Sequence, residues 1–445
     1  MIRSCRSASR LPKRATAVLL SFAVCAGHAA LPALATLVPA AARAQELPRV
    51  APAEAGFAPG RLERVGAMLD EYVVDGRLPG AVVVVLRDGA VVYEHAAGFA
   101  DLEARATLGP DAIFRIASQT KAIVSVAVMM LQEEGALLIS DPVGRYLPAF
   151  TETSVAEPLP DGGYDVVAAQ RPITVRDLLT HTAGIAYGMG GPGADRWREA
   201  EITGWYFAHR DEPVRATVDR MGSLPFQAQP GERFVYGYNT DILGALVEEV
   251  SGQSLEAFLH SRIFEPLDMR DTHFYLPPEK RDRLAMVYNR RTPGALVRAR
   301  DGEGMDTQGQ YADGPRMSFS GGAGLLSTAR DYARFLQMML NGGTLGDARI
   351  LSPASVALMT SNHVGDLFAP GMGFGLGFSV RLDLGEAGEP GSLGDYGWGG
   401  AYHTAYWVDP VERLVVVYFT QVIPAAGLDD HQKLRALVYG ALGGA

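Results

Sequence analysis

Cysteine is almost absent from this chain of 445 residues. Its two cysteines, Cys5 and Cys25, lie close to the N terminus, and everything that follows Cys25 has none. This absence excludes disulfide bridges, thiolate zinc sites and a cysteine nucleophile from the main part of the chain.

Lysine is scarce as well, since only four of the 40 basic residues are lysines and the others are arginines. One of the four, Lys121, precedes the apolar run 122–130, where a permanent charge would be costly to bury. An amine, unlike a guanidinium, can lose its proton and act as a base. In a chain that uses arginine for ordinary charge, this lysine indicates a chemical task for a neutral amine.

Several hydrolase signatures are missing too. The sequence contains no G-x-S-x-G and no H-E-x-x-H, and its nine histidines are scattered. These absences argue against an α/β-hydrolase with a Ser-His-Asp triad and against a zinc hydrolase. The glycine-rich segment 320–324 lacks the helix and lysine of a phosphate site, and we expect neither a metal nor a cofactor.

The first 44 residues have the layout of a secretory signal peptide. Basic residues come first, an Ala/Leu/Val-rich stretch begins at residue 15, and Ala42-Arg43-Ala44 forms a small-x-small cleavage site. Cleavage after residue 35 and an uncleaved anchor are the alternatives. We therefore predict a periplasmic or secreted protein with no stable membrane span once the leader is removed.

The net charge of the chain limits the kinds of macromolecule that it is expected to bind. The leader carries six basic residues and no acid, so its removal changes the net charge from −10 to −16. Such an acidic protein is not expected to bind nucleic acid or anionic membranes.

The hydrophobic pattern predicts an α+β fold. Both ends of the chain contain a helix and a hairpin, and the middle contains helices separated by Gly/Pro-rich loops. We expect helices at 59–74, 118–134, 175–180, 240–250, 255–263, 329–340 and 429–442, and strands at 81–87, 90–95, 402–408 and 414–420.

This order suggests one domain over residues 45–445. An antiparallel β-sheet lobe (45–115 and 316–445) would be flanked by the terminal helices, and a helical lobe (116–315) would be inserted into it. The long segments 151–171, 185–197 and 290–315 are expected to form walls of the binding cleft.

Ser118 and Lys121 are three residues apart, which places them on one face of a helix. If Ser118 opens that helix, the positive end of the helix dipole favours a developing anion and disfavours an ammonium. A hydroxyl and a neutral amine in this arrangement predict a nucleophile with its base. The structural alternative is that Ser118 caps the helix and Lys121 extends into solvent.

Five blocks of the sequence carry a recognisable pattern: FRIASQTK (114–121), MMLQEEG (129–135), DPV (141–143), YLP (146–148) and ITVRDLLTHTAG (173–184). Together they closely resemble the serine β-lactamase-like hydrolases, the family of class C β-lactamases, D-Ala-D-Ala peptidases and family VIII carboxylesterases. The esterase branch is the most similar. The resemblance implies the β-lactamase/transpeptidase-like fold, Ser118 as nucleophile and Lys121 as its base.

The second motif of that family, Tyr-x-Asn, occurs nowhere in the chain. The segment YGYNTDILG (236–244) nevertheless resembles the esterase-branch block, in which Asp follows Tyr by five residues. The resemblance implies that Tyr236 exchanges a proton with Ser118 and the leaving group. Tyr238 is the alternative, and either tyrosine could instead be a core residue with a satisfied hydroxyl.

The third motif, Lys-Thr-Gly in β-lactamases, resembles Trp398-Gly399-Gly400 here, which we expect at the start of the penultimate strand. The resemblance implies an oxyanion hole made by the backbone N–H groups of Ser118 and Ala401, with Trp398, Gly399 and Gly400 against the substrate. Tyr187 resembles an aromatic cleft residue of the esterase branch, which implies that it lines the substrate site, and packing within its loop is the structural alternative.

Trp398 stands where the β-lactamase motif has lysine, so the cation that would hold the carboxylate of a β-lactam or peptide is missing at this position. We therefore predict an exported serine hydrolase, a carboxylesterase on small uncharged esters that needs no cofactor. Ester, amide and β-lactam substrates stay open, so the alternatives are a β-lactamase or D-Ala-D-Ala carboxypeptidase, and a penicillin-binding module that does not turn over. The sequence specifies no oligomeric state.

Overall fold

An eight-stranded antiparallel sheet organises the part of the chain that the structure, a computed structural model, describes: residues 47–160, 162–292 and 295–443. Its spatial strand order is β12-β13-β14-β15-β16-β1-β2-β3, with numbering in chain order. The strands are β1 (Gly80–Arg87), β2 (Ala90–Asp101), β3 (Ala106–Thr107), β4 (Phe114–Arg115), β5 (Ser154–Pro158), β6 (Tyr164–Ala168), β7 (Tyr288–Arg290), β8 (Val297–Arg298), β9 (Leu326–Ser327), β10 (Thr344–Leu345), β11 (Ala348–Arg349), β12 (Met372–Phe374), β13 (Ser379–Arg381), β14 (Tyr396–Gly400), β15 (Thr404–Asp409), β16 (Leu414–Phe419) and β17 (Val422–Ala425).

The two ends of the chain meet in the centre of this sheet. Strand β1 pairs antiparallel with β16, with Val84 opposite Val417. This confirms the predicted antiparallel sheet built from both termini. Smaller pairings are β4 with β9, β5 with β6, β10 with β11, and β7 between β8 and β17.

The long helices that the sequence predicts are all present. Helix 118–134 is divided into a 3₁₀ turn, Ala117–Gln119, and an α-helix, while helix 255–263 changes to a π-helical turn after residue 259. The α-helices are α1 (Glu63–Val74), α2 (Thr120–Glu133), α3 (Val175–Leu179), α4 (Ala194–Glu199), α5 (Val214–Met221), α6 (Asn239–Ser251), α7 (Leu255–Leu259), α8 (Ala329–Leu340), α9 (Pro353–Met359), α10 (Leu384–Ala387) and α11 (Asp430–Ala441).

The central strands are hydrophobic on both faces because each face packs against helices. Alternate side chains of β1 point to opposite faces, so Val83 and Val85 join the core beside α1 and α11, while Val82 and Val84 join the larger core beside α2 and α8. The sheet is thus covered on both sides, which explains the nearly continuous Val-rich runs.

Helix α2 is central to the larger core. Every residue from Thr120 to Leu131 is buried, and the helix packs against α6. A helix buried on all sides can carry an amine such as that of Lys121 only where polar partners receive it.

Two segments differ from their predicted form. Residues 151–171 contain the β5–β6 hairpin, with Ser154 paired to Ala168, rather than only irregular backbone. The Trp398-Gly399-Gly400 segment ends β14 instead of starting the penultimate strand, because its pairing with β15 stops at Gly400 opposite Thr404.

The predicted leader 1–44 lies outside the described residues. Across residues 47–160, 162–292 and 295–443, none of the helices combines the length and the apolar character needed to cross a membrane.

Candidate active site

Ser118 lies in the 3₁₀ turn that leads into α2. The residue before it, Ala117, has a φ of 42°, a left-handed conformation that is costly for a residue with a Cβ. Ala117 and Gln119 are buried, whereas Ser118 is half-buried. The strained turn therefore presents the Ser118 hydroxyl at the surface of an otherwise closed core.

Lys121 is 2% exposed and forms three contacts through its amine. Nζ lies 3.3 Å from Ser118 Oγ, 3.0 Å from the Tyr187 hydroxyl and 2.7 Å from the Gly322 carbonyl oxygen. The amine is thus turned into the protein and toward the serine, unlike the solvent-exposed lysine of the structural alternative.

Tyr187 contacts the same amine. Its ring is buried and packs edge-on against Tyr236, with centroids 5.9 Å apart. Burial raises the pKa of the Tyr187 phenol well above its ordinary value, so the hydroxyl keeps its proton at neutral pH. The sequence suggested only a lining role, whereas the structure places this hydroxyl on Lys121.

Tyr236 lies in the loop immediately before α6, with its ring over the amine. Lys121 Nζ is 4.7 Å from the ring centroid, and the Tyr236 hydroxyl accepts a hydrogen bond from Trp398 Nε1 at 3.0 Å. The structure therefore brings the Tyr236 ring to Lys121 but directs its hydroxyl to Trp398. A Cβ on the next residue, Gly237, would lie 2.3 Å from the Ile185 carbonyl oxygen, so glycine is needed for this close approach.

Tyr238 lies in the core rather than in the cleft. It is fully buried, and its hydroxyl donates to the Gly204 carbonyl at 2.7 Å. Its ring stacks on Trp197 and Phe207 at centroid distances of 5.5 and 5.7 Å. This position does not support the alternative in which Tyr238 reaches Ser118 or binds substrate.

The turn after β14 lies against the Ser118 turn. A Cβ on Gly400 would come within 2.4 Å of the Ile116 carbonyl oxygen and 2.2 Å of Thr404 Oγ1, so a larger residue cannot occupy this position. Ala401 follows directly. The end of β14 therefore packs directly against the backbone that leads into the Ser118 turn.

Aromatic rings form one wall beside Tyr236. The Trp398 ring lies 5.4 Å from Tyr236, 5.3 Å from Phe374 and 6.0 Å from Phe368, measured between centroids. The wall is apolar where the resemblance places a lysine in β-lactamases.

Segment 320–324 supports Lys121, a contact that the sequence did not predict. The Gly322 carbonyl accepts from Lys121, while its N–H donates at 3.0 Å to Asp241 Oδ1, which also accepts from Ser320 Oγ at 2.6 Å. Burial raises the pKa of the Asp241 carboxyl. The available signal was the glycine itself, because a Cβ on Gly322 would lie 2.3 Å from Asp241 Oδ2.

His181 is the histidine nearest to this site. It is buried, its Nδ1 lies 2.9 Å from Asn239 Nδ2, and its ring packs 4.5 Å from that of Tyr236. Burial lowers the pKa of His181 well below its ordinary value. A neutral imidazole in this packing supports the tyrosine loop structurally.

One group of side chains among the described residues has metal-ligand chemistry: His403, Asp430 and His431, whose ligand atoms lie within 4.8 Å of one another. The two imidazoles are stacked, with centroids 3.9 Å apart and planes 14° apart. A nitrogen lone pair lies in its ring plane, so one ion could not bind both rings without separating them. The arrangement is that of a hydrogen-bonded cluster, with His403 Nε2 2.8 Å from Asp430 Oδ1.

Comparison with known proteins finds relatives of this chain by sequence and by structure. The β-lactamase family model matches residues 65–439. Esterase EstB of Burkholderia gladioli is 35% identical over 373 residues, which cover 80% of this chain and 89% of that protein.

Two further matches cover most of the chain. A protein of Escherichia coli (strain K12), assigned provisionally as a D-alanyl-D-alanine carboxypeptidase, is 26% identical over 420 residues, covering 88% of this chain and 89% of that protein. The solved structure of EstCE1, described as a hydrolase with promiscuous acyltransferase activity, is 30% identical, has a TM-score of 0.75, and covers 85% of this chain and 98% of that one.

Proposed function

The chain belongs to the β-lactamase family and is a hydrolase related to esterases and D-Ala-D-Ala carboxypeptidases, and from that membership we propose that it forms an acyl-enzyme on Ser118. The observation that carries the proposal is the 3.3 Å contact between the buried Lys121 amine and Ser118 Oγ.

Lys121 acts as the base in its neutral form. A neutral amine has two N–H donors and one lone pair. The Gly322 carbonyl can only accept, and the Tyr187 hydroxyl can accept the second N–H, which leaves the lone pair for the Ser118 proton.

In the acylation step, the Ser118 proton moves to Lys121 as Oγ attacks the ester carbonyl carbon. The carbonyl oxygen becomes an oxyanion and accepts hydrogen bonds from the backbone N–H groups of Ser118 and Ala401. When the intermediate collapses, the bond to the alcohol breaks, and the alcohol leaves with a proton supplied through a phenol.

Tyr236 delivers that proton, in exchange with Lys121 and Ser118. Its ring lies over the amine, and the Trp398 indole N–H holds its hydroxyl through a hydrogen bond of 3.0 Å. Tyr187, already bonded to Lys121, is the second phenol within reach.

Deacylation repeats the chemistry with water. Lys121 takes a proton from a water molecule as the water oxygen attacks the acyl carbon. The bond between that carbon and Ser118 Oγ then breaks, Ser118 receives the proton from Lys121, and the acid leaves. The acyltransferase activity named for EstCE1 supports such an intermediate, since acyl transfer to an alcohol needs an acyl group held on the enzyme.

The substrate class follows from the apolar wall. Trp398 and Phe374 suit an uncharged acyl or alcohol group, because they offer no cation to a carboxylate. We therefore propose a carboxylesterase on small uncharged esters. The carboxypeptidase relative favours a second candidate, a β-lactamase or D-Ala-D-Ala carboxypeptidase.

The leader pattern in residues 1–44 supports export, so we propose that the enzyme acts in the periplasm or outside the cell. N-terminal sequencing of the exported protein tests this. A mature chain that begins at Gln45 is expected. Export would be refuted if the protein stayed in the cell with residues 1–44 still attached.

The nucleophile and base are tested with Ser118→Ala and Lys121→Arg in p-nitrophenyl butyrate hydrolysis. Both variants should lose activity, because arginine keeps the charge but cannot provide the neutral amine. Lys280→Arg is the matched control, since Lys280 pairs with Asp271 at 2.9 Å and should tolerate the change. Full activity in Lys121→Arg would refute the neutral base.

Turnover of the butyrate ester, nitrocefin and a D-Ala-D-Ala peptide, measured side by side, separates the candidates. The esterase proposal requires the highest kcat/KM for the ester. Faster turnover of either other substrate would favour the second candidate. Stoichiometric labelling of Ser118 without turnover would instead identify a penicillin-binding module.

A further inference from the structure

The turn that joins β14 to β15 contains a residue in an unfavourable conformation. His403 has a φ of 66°, in the left-handed region where glycine is favoured, and its N–H donates to the Gly400 carbonyl at 3.0 Å. For a residue with a Cβ this conformation costs free energy, which contacts of its side chain can offset.

The C-terminal helix provides those contacts. Nε2 of His403 donates to Asp430 Oδ1 at 2.8 Å, and Asp430, fully buried at the start of α11, also accepts from the Tyr418 hydroxyl at 2.5 Å. A buried carboxylate with two donors is a well-defined anchor for the imidazole.

His431 holds the same residue from a second direction. Its ring stacks on His403, and its Nε2–H donates to the His403 carbonyl at 3.3 Å. Burial and the neighbouring His403 lower the pKa of His431 to about 4, so this imidazole stays neutral. Tyr402, the residue before His403, is also held, because its carbonyl accepts a hydrogen bond from the Val422 N–H at 3.1 Å.

We propose that His403, anchored by Asp430 and His431, is a positioning residue that keeps the turn 400–403 in the shape that directs the Ala401 N–H to the oxyanion. One side of this turn presses on the Ile116 carbonyl beside Ser118, and the other side rests on α11 through His403. The inference rests on the proposed function, because it needs Ser118 as nucleophile and Ala401 as donor.

The test compares His403→Gly, His403→Gln and Arg413→Gly. Glycine removes the imidazole but favours the observed backbone conformation, so the fold is retained. Glutamine keeps an N–H donor for Asp430. Arg413 is the matched control, because it has a φ of 51° in the next hairpin turn and donates to an aspartate, Asp88, at 2.8 Å.

We expect His403→Gly to lower kcat for p-nitrophenyl butyrate about 10-fold to 100-fold, with little change in KM, since small displacements of a reacting group cost this much. Phosphorylation by diethyl p-nitrophenyl phosphate, whose P=O oxygen uses the same donors, should slow in proportion. His403→Gln should recover most of the rate, and Arg413→Gly should match the unsubstituted enzyme.

Unchanged kcat and phosphorylation in His403→Gly, with no activity in Ser118→Ala, would overturn the positioning role and leave the proposed function intact. Hydrolysis by Ser118→Ala would overturn the proposed function and this inference with it. Asp430→Asn weakens the same hydrogen bond from the helix side, so a wild-type kcat in that folded variant would also overturn the inference.

Discussion

The indole N–H of Trp398 donates to the Tyr236 hydroxyl across 3.0 Å and so connects the end of β14 to the loop before α6. The resemblance to β-lactamases places a lysine at this position. Tryptophan supplies a hydrogen-bond donor to the phenol without adding a positive charge to the cleft.

Trp398→Phe should therefore lower kcat for p-nitrophenyl butyrate about 5-fold, since one hydrogen bond contributes about 1 kcal/mol. The aromatic wall stays in place, so KM should change little. Trp407→Phe is the matched control, because the Trp407 N–H has no hydrogen-bond partner among the described residues. Equal activities in the two variants would contradict a role for the Trp398 N–H.

Tyr187→Phe should impair catalysis, whereas Tyr238→Phe should reduce stability. The first removes the hydroxyl on Lys121 and should reduce kcat at least 10-fold while stability changes little. The second leaves the buried Gly204 carbonyl without its donor and should cost about 1–3 kcal/mol of unfolding free energy with nearly normal kcat. Steady-state kinetics and urea unfolding check both, and a loss of kcat in Tyr238→Phe alone would reverse the assignment.

Gly322→Ala should disturb the carbonyl that accepts from Lys121, because the added Cβ would lie 2.3 Å from Asp241 Oδ2. We expect kcat to fall about 10-fold or more through displacement of the amine. Gly440→Ala in α11 meets no atom within 4 Å and serves as the control. Wild-type kinetics in Gly322→Ala would show that this support is dispensable.

Asp331 should make stability fall as pH rises. Burial raises the pKa of its carboxyl from 3.8 to about 6. Below pH 4 the carboxyl is protonated in both states, whereas between pH 4 and 6 it ionises more readily in the unfolded chain. Through this carboxyl, the free energy of unfolding therefore falls by about 3 kcal/mol between pH 4 and 6.

Asp331→Asn should remove that loss of stability. The Asp271 N–H donates to Asp331 Oδ2 at 2.7 Å, and the amide oxygen of asparagine can still accept this hydrogen bond. Urea unfolding at pH 4 and 7 measures the difference, with Asp75→Asn at an exposed position as control. An unchanged pH dependence in Asp331→Asn would contradict the effect of burial.

Local patterns were sufficient for much of the fold. The Asp88-Gly89 turn between two Val-rich runs predicted the β1–β2 hairpin, and helical spacing predicted α2 and α8 within a few residues. Short elements such as α4 and the β5–β6 hairpin were missed, since their few residues carry too little periodicity to stand out.

The two tyrosines show where sequence reasoning reached its limit. Tyr236 and Tyr238 are two residues apart, and their spacing alone could not tell which one faces the amine. The structure separates them because Tyr238 stacks between Trp197 and Phe207, which come from a distant part of the chain.

The sequence by itself determined the antiparallel α+β fold and the spacing of Ser118 from Lys121, because turns, periodicity and residues within one helical turn are local properties. Only the tertiary structure decided that the amine is shared with Tyr187 and Gly322, that Tyr236 bonds to Trp398, and that α11 anchors the turn after β14. Those contacts join residues far apart in the chain, and they form only when packing of the sheet against its helices brings the segments together.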